Sequence, residues 1–242
     1  MFPISDVNPA RGTPFLTLLV IAANVLVFFL LQPRDPEAGL EFGYRHAAIA
    51  CELTTGAALT DVEARSDRCL DNSGAEVLFP QKVLALSVLV SLFLHGSIVH
   101  LAGNMWFFWI FGNNIEEAFG RLGYALLYLV GGVAATLAFA WSEPSSTVPL
   151  IGASGAIAAV LGAYLVLYPS RLVMSVVFVT LVPVPAALFL GLWFVGQFAV
   201  TDPGVAWQAH VGGFVVGVLV ALGLRSVLLR RVRRIHGRSY AS

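Results

Sequence analysis

Long charge-free runs constrain this chain more than any other feature. No Asp, Glu, Lys or Arg occurs from Val83 to Ile115, Leu122 to Ser142, Pro144 to Ser170, Leu172 to Thr201 or Pro203 to Leu224, and a further apolar segment, Phe15 to Leu31, lies between Arg11 and Arg34. A helix needs about 20 apolar residues to cross the ~30 Å hydrocarbon layer of a bilayer. In lipid the backbone must satisfy its own polar groups, which leaves helices or closed barrels. Continuous apolar runs lack the alternation of a barrel strand. Composition agrees: the chain is 58% hydrophobic and 12% charged, against about 25% charged in soluble domains. The pattern predicts an all-α polytopic membrane protein. A formal net charge of zero gives no basic footprint for nucleic acid.

The Val83–Ile115 run exceeds one crossing and is interrupted by His95-Gly96-Ser97. Residues 82–94 therefore read as an interfacial or partly inserted helix. Six spans are expected, near 14–32, 98–116, 122–141, 153–168, 174–196 and 207–226. A cleaved leader is the alternative for the first run, but Gln32-Pro33-Arg34 follows where small residues would mark cleavage. Lys and Arg favour the cytoplasmic side. The cluster Arg225, Arg230, Arg231, Arg233, Arg234 and Arg238 places the C-terminal tail there, and an even number of spans places the N-terminus with it. The expected organisation is a short cytoplasmic N-terminus (1–13), one membrane domain (14–226) with a long extracytoplasmic loop (32–82), and a basic cytoplasmic tail (227–242), in the plasma or inner membrane of a cell. The loop holds nine acids and five bases. Thr54-Thr55-Gly56 and Asp71-Asn72-Ser73-Gly74 suggest turns around short helices. Cys51 and Cys69 both lie in it, free to pair in an oxidising compartment or to remain as thiols.

Polar residues inside spans are costly, and those retained usually face the protein interior or a water-filled cavity. Three groups stand out. His100 and Asn104 are one turn apart on one helix face, with His95 just before the span. Ser154 sits in Gly152-Ala153-Ser154-Gly155, ahead of an apolar helical run. That position puts it near a helix N-terminus, where free backbone N–H groups can receive an oxyanion. His210 shares a helix face with Gly213 and Gly217, a Gly-x-x-x-Gly surface that lets another helix approach to backbone distance. If that helix carries Ser154, the imidazole can serve as its general base. With no carboxylate inside the spans, the arrangement predicts a Ser–His dyad.

The set resembles the rhomboid family of intramembrane serine proteases. The family's His-Gly-x-x-x-His-Leu-x-x-Asn-Met run is similar to His95–Met105, its Gly-x-Ser-Gly to Gly152–Gly155, its Ala-His-x-Gly-Gly-x-x-x-Gly to Ala209–Gly217, and its cytoplasmic Glu-x-x-x-Gly-Arg to Glu116, Gly120 and Arg121. The resemblance covers about Leu92 to Leu224. It implies a six-transmembrane-helix rhomboid-like bundle with Ser154 as nucleophile and His210 as base. The oxyanion would be held by His100, Asn104 and the Ser154 N–H. Glu116 and Arg121 would tie the loop between the second and third spans. Implied partners are transmembrane protein substrates and membrane lipid, with no cofactor or metal; nothing in the pattern sets an oligomeric state. Two family features are absent. Ala158 stands where some members place a tyrosine against the catalytic imidazole, and the first outside loop lacks a Trp-Arg pair.

Two other functions predict different sequences. A catalytically inactive rhomboid-like client-binding protein would be expected to lack Ser154 or His210. A transporter or channel would be expected to show inverted repeats or an intramembrane charge.

Overall fold

The computed structural model describes residues 1–8, 10–70, 75–202 and 204–237. The turn expected at Asp71–Gly74 and the tail beyond Gly237, Arg238 included, lie outside them. The chain opens with a strand, β1 (Phe2–Asp6), and then α1 (Phe15–Leu26), which a π turn extends through Leu31. The outside loop contains α2 (Pro36–His46), the two-residue β2 (Ala48–Ile49), α3 (Ala50–Thr55) and α4 (Asp61–Ser66). Thr60 and Glu63 form a capping box that starts α4. Next come α5 (Leu84–Ser91), α6 (Ile98–Ser142), β3 (Pro149–Leu150) and α7 (Ser154–Leu167). The chain ends with β4 (Leu172–Val177), β5 (Thr180–Pro185), α8 (Ala186–Gln197) and α9 (Trp207–His236).

The bundle is layered in the manner of a membrane protein. α6, α7 and α9 pack against one another, with α7 the most enclosed. Eleven of its fourteen residues are buried, so it needs no polar face. Small residues fill the interior, Ala156, Ala158, Ala159 and Ala163 among them. Phe108, Phe111, Tyr124 and Tyr164 are buried with them, while other large apolar side chains point outward: Leu122 is 76% and Trp141 86% exposed. Two helices, α6 and α9, are long and apolar enough to cross a bilayer, and three shorter apolar helices accompany them.

The structure departs from an all-α fold. The run Leu172–Pro185 forms a β4–β5 hairpin, and β1 pairs antiparallel with β4 to make a three-stranded sheet in the order β1-β4-β5. Helix in the predicted 174–196 span is confined to α8, 12 residues and so about 18 Å long at 1.5 Å per residue. Hydropathy alone does not separate a short apolar strand from a helix. The local chemistry does: the segment is rich in valine, and Pro183 and Pro185 cannot sit in a helix interior. The hairpin loop is Phe178-Val179, and its closing pair, Val177–Thr180, is a partner pair. Hydrogen-bonded and open positions then alternate along β5, so Pro183 and Pro185 fall where an N–H would face the free edge. Their missing donors leave less backbone to satisfy there. The expected second and third spans correspond to the two halves of α6, which breaks at Gly120 (φ 72°, ψ 163°). α9 continues without interruption from its apolar part to His236.

Buried polar contacts fasten the N-terminal segment. Glu116 accepts from the backbone N–H groups of Leu16 (2.9 Å) and Thr17 (2.8 Å) and from the Thr17 hydroxyl (2.8 Å). It thus caps the free N–H groups at the start of α1. Of the two residues expected to tie the loop between the second and third spans, Glu116 thus contacts α1, and Arg121 lies over the Phe15 ring at 5.2 Å. Glu117 takes a matching role one residue on. It accepts from the Arg11 (2.7 Å) and Gly12 (3.0 Å) N–H groups and meets the His236 ring, while Arg231 donates to its backbone carbonyl (3.0 Å). β1 is held by the Trp106 indole, which donates to the Pro3 carbonyl at 2.7 Å, and by Asp6, which accepts from Asn114 (2.7 Å) and Tyr164 (2.8 Å).

Burial pushes the Asp6 carboxyl up from 3.8 to about 6, against the hydrogen bond from Tyr164. A carboxyl whose pKa rises on folding binds its proton more tightly in the folded state. Its effect on stability is therefore most favourable below about pH 4 and is lost as pH rises through 6. At ~1.4 kcal/mol per pH unit, the ceiling on that loss is about 3 kcal/mol. Thermal unfolding of detergent-solubilised protein between pH 4 and 7.5 should show this decline, and Asp6→Asn should flatten it. An unchanged slope in the variant would remove Asp6 from the account.

Candidate active site

α7 begins at Ser154 itself. Its backbone N–H is thus among the first four of the helix, which have no intrahelical acceptor. The preceding residues are rigidly supplied. Gly152 donates its N–H to the Ser91 carbonyl at 3.0 Å. Its φ of 130° is one that side-chain-bearing residues rarely adopt, and a Cβ there would lie 2.9 Å from the His100 imidazole. Upstream, β3 pairs with β2 of the outside loop, and Cys51 donates its N–H to the Ser146 carbonyl at 3.0 Å. The loop is itself closed by a Cys51–Cys69 disulfide. It therefore braces the chain segment that leads into Ser154.

His210 is in the first turns of α9, and the two helices meet through backbone. A Cβ on Gly213 would lie 2.0 Å from the Gly155 carbonyl oxygen, and one on Gly217 would lie 1.9 Å from that of Ala159. Gly155 is likewise pressed against Ala135 of α6. At this separation His210 Nε2 stands 2.8 Å from Ser154 Oγ.

The histidine–asparagine group lies on the first turns of α6, which the Ser97 side chain caps by accepting from the His100 N–H at 3.1 Å. Asn104 Nδ2 is 2.9 Å from His95 Nε2. An amide nitrogen only donates, so that imidazole nitrogen accepts and one amide hydrogen of Asn104 remains for another partner. His95 is fully enclosed, with its ring 5.1 Å from that of His100. Gln32 brackets its backbone, accepting from the His95 N–H and donating to the His95 carbonyl, both at 2.9 Å. His100, Asn104, Ser154 and His210 line one open cavity of about 900 Å³, whose rim includes Glu143 and Asp202. Glu116, Gly120 and Arg121 lie away from this cavity, with the N-terminal contacts described above.

Two residues at the site were not singled out from the sequence. Gln197, the last residue of α8, places Oε1 2.7 Å from His210 Nδ1. Trp193, one turn earlier, sets its ring 6.1 Å from the imidazole. A carboxamide in a charge-free run was the available signal for Gln197. Among the described residues, the grouping best suited to a metal is Cys51, Glu63 and Cys69, but its sulfurs are committed to the disulfide.

The fold and the site define a helical membrane protein with a serine and a histidine joined inside its bundle. Residues 84–227 match the Rhomboid domain, and the chain belongs to the rhomboid family. It is 29% identical over 160 residues to Rhomboid protein 1, mitochondrial, of Saccharomyces cerevisiae, covering 62% of this chain and 45% of that protein. It is 34% identical over 138 residues to RHOMBOID-like protein 4 of Arabidopsis thaliana, covering 54% of this chain and 32% of that protein. With Rhomboid protease GluP of Bacillus subtilis it shares 26% identity over 220 residues, covering 88% of this chain and 36% of that protein. The chain thus spans less than half the length of these relatives.

The α7–α9 contact yields a direct test. Gly217→Leu must push the helices apart, at an expected cost of about 3 kcal/mol or more. Gly223→Leu, on the same helix with nothing within 4 Å of its Cβ position, should be near neutral. Unfolding in mixed micelles compares them; equal losses would mean that the close approach is not what holds α9.

Proposed function

We propose that this protein is an intramembrane serine endopeptidase that cleaves transmembrane substrates near the outer face of the membrane. The observation that carries this reading is the 2.8 Å contact between Ser154 Oγ and His210 Nε2, in a cavity shared with His100 and Asn104. His210 removes the Ser154 proton as Oγ attacks the scissile carbonyl. The tetrahedral oxyanion falls to the Ser154 N–H, the remaining Asn104 amide hydrogen and the His100 ring. His210 then gives its proton to the leaving amine, and water, activated by the same imidazole, hydrolyses the acyl-enzyme. Burial of the site in the bundle suits substrates that are themselves membrane helices, opened locally where their backbone hydrogen bonds are weak.

In this reading the chain crosses six times: α1, the two halves of α6, α7, α8 and α9. Both ends then lie on the cytoplasmic side with the arginines of α9, in a plasma or inner membrane. The disulfide-closed loop and the cavity mouth lie on the opposite, oxidising side. The client-binding and transport alternatives gain nothing from a hydrogen-bonded Ser–His pair.

A panel of single-span substrates in proteoliposomes tests the proposal. Ser154→Ala and His210→Ala should each lower cleavage by about four orders of magnitude or more while the proteins stay folded. Asn104→Ala should lower kcat by about 10²- to 10³-fold, the usual cost of one oxyanion donor. Wild-type cleavage rates in Ser154→Ala would sink the assignment. Binding of the same substrates without cleavage by the wild type would favour a client-binding protein.

A further inference from the structure

His210 has two ring nitrogens, and only one tautomer can act as a base. Nε2 faces Ser154, so Nε2 must be the bare nitrogen and Nδ1 must carry the hydrogen. In a triad a buried carboxylate enforces that choice. No carboxylate contacts His210 among the described residues; Nδ1 instead faces Gln197 Oε1 at 2.7 Å. A carboxamide is ambiguous on its own, because its oxygen accepts while its nitrogen donates. Here its orientation is fixed. Gln197 Nε2 donates to the backbone carbonyl of Trp193, one turn back on α8, at 3.0 Å. Turning the amide over would set its oxygen against that carbonyl, two acceptors facing each other, and would set its NH₂ against Nδ1.

We propose that Gln197 is a positioning residue that selects the reactive tautomer of His210. The helical carbonyl of Trp193 orients the amide, the amide oxygen accepts the Nδ1 hydrogen, and Nε2 is left free to accept from Ser154. The inference rests on the protease reading. The Gln197 side chain is buried between α8 and α9, at 8% exposure, so water competes little for these bonds. The role differs from that of a carboxylate in one respect. A neutral amide orients the ring without adding charge to the imidazolium that forms during attack.

Two variants in the full chain test this. Gln197→Leu keeps the volume and removes the acceptor. Gln197→Glu keeps an acceptor and adds charge. The readouts are the rate of Ser154 labelling by a fluorophosphonate probe, kcat and KM on a single-span substrate, and thermal unfolding. Gln197→Leu is expected to slow labelling and kcat together by about 10- to 100-fold, less than the ~10⁴-fold loss when a triad acid is replaced by its amide, with KM within about two-fold of wild type. Gln197→Glu should recover most of that loss. The acidic limb of its labelling rate against pH should also move upward by about one unit, since a carboxylate favours the charged ring. The other titratable groups around this cavity are His100 of α6, Glu143 just after α6 and Asp202 before α9; all are the same in both variants, so they do not produce a difference between them. Labelling by Gln197→Leu within two-fold of wild type overturns the proposal. So does a loss that Gln197→Glu shares in full, which would mark a packing role. If Gln197→Leu does not fold, the Gln197→Glu profile decides, and an unmoved acidic limb overturns the inference. Failure of wild-type protein to label at Ser154 at all would instead count against the protease reading.

Discussion

The structure depends on two helices meeting with no side chain between them. α7 and α9 touch through Gly213 and Gly217 against the backbone of Gly155 and Ala159. In lipid there is little hydrophobic drive between helices, so close van der Waals contact has to supply much of the association. The same contact sets the distance at which a short serine side chain reaches an imidazole. Packing and chemistry are therefore one constraint here. A methyl group at either glycine would disturb both.

Around that contact, several polar side chains inside the bundle pair with one another. Asn104 meets His95, His210 meets both Ser154 and Gln197, and Glu116 meets three donors at the start of α1. An unmatched polar group in an apolar interior is expensive. Each set also fixes a direction: the Trp193 carbonyl orients an amide, and Gln32 holds the His95 backbone on both sides. The outside loop adds a brace from the wet side. Its disulfide and its two-residue strand support the residues just before Ser154.

Much of this was legible in the sequence because hydropathy and spacing report on membrane crossing and on helix faces. The charge-free runs located α1, α6, α7 and α9, and the glycines four apart on α9 marked the close contact. Glu116 stands out in its motif, but its partners at Leu16 and Thr17 are a hundred residues away in sequence, beyond the reach of local spacing. The β4–β5 hairpin was hidden because an apolar strand and an apolar helix have the same mean hydropathy; Pro183 and Pro185 were the signal that separates them. Gln197 belongs to the same blind spot. It lies thirteen residues before His210, and only the turn between α8 and α9 brings them together.

The position of His210 on the last helix has a consequence for synthesis. A chain emerging from the ribosome presents Ser154 long before α9 exists. Arg11 and Glu117, which later receive the far end of α9 at Arg231, Ile235 and His236, are also made earlier. Docking of α9 thus brings its far end to these partners and His210 to Ser154. Until then Ser154 has no imidazole beside it, so the contact on which the proposed activity rests forms only once α9 has been made.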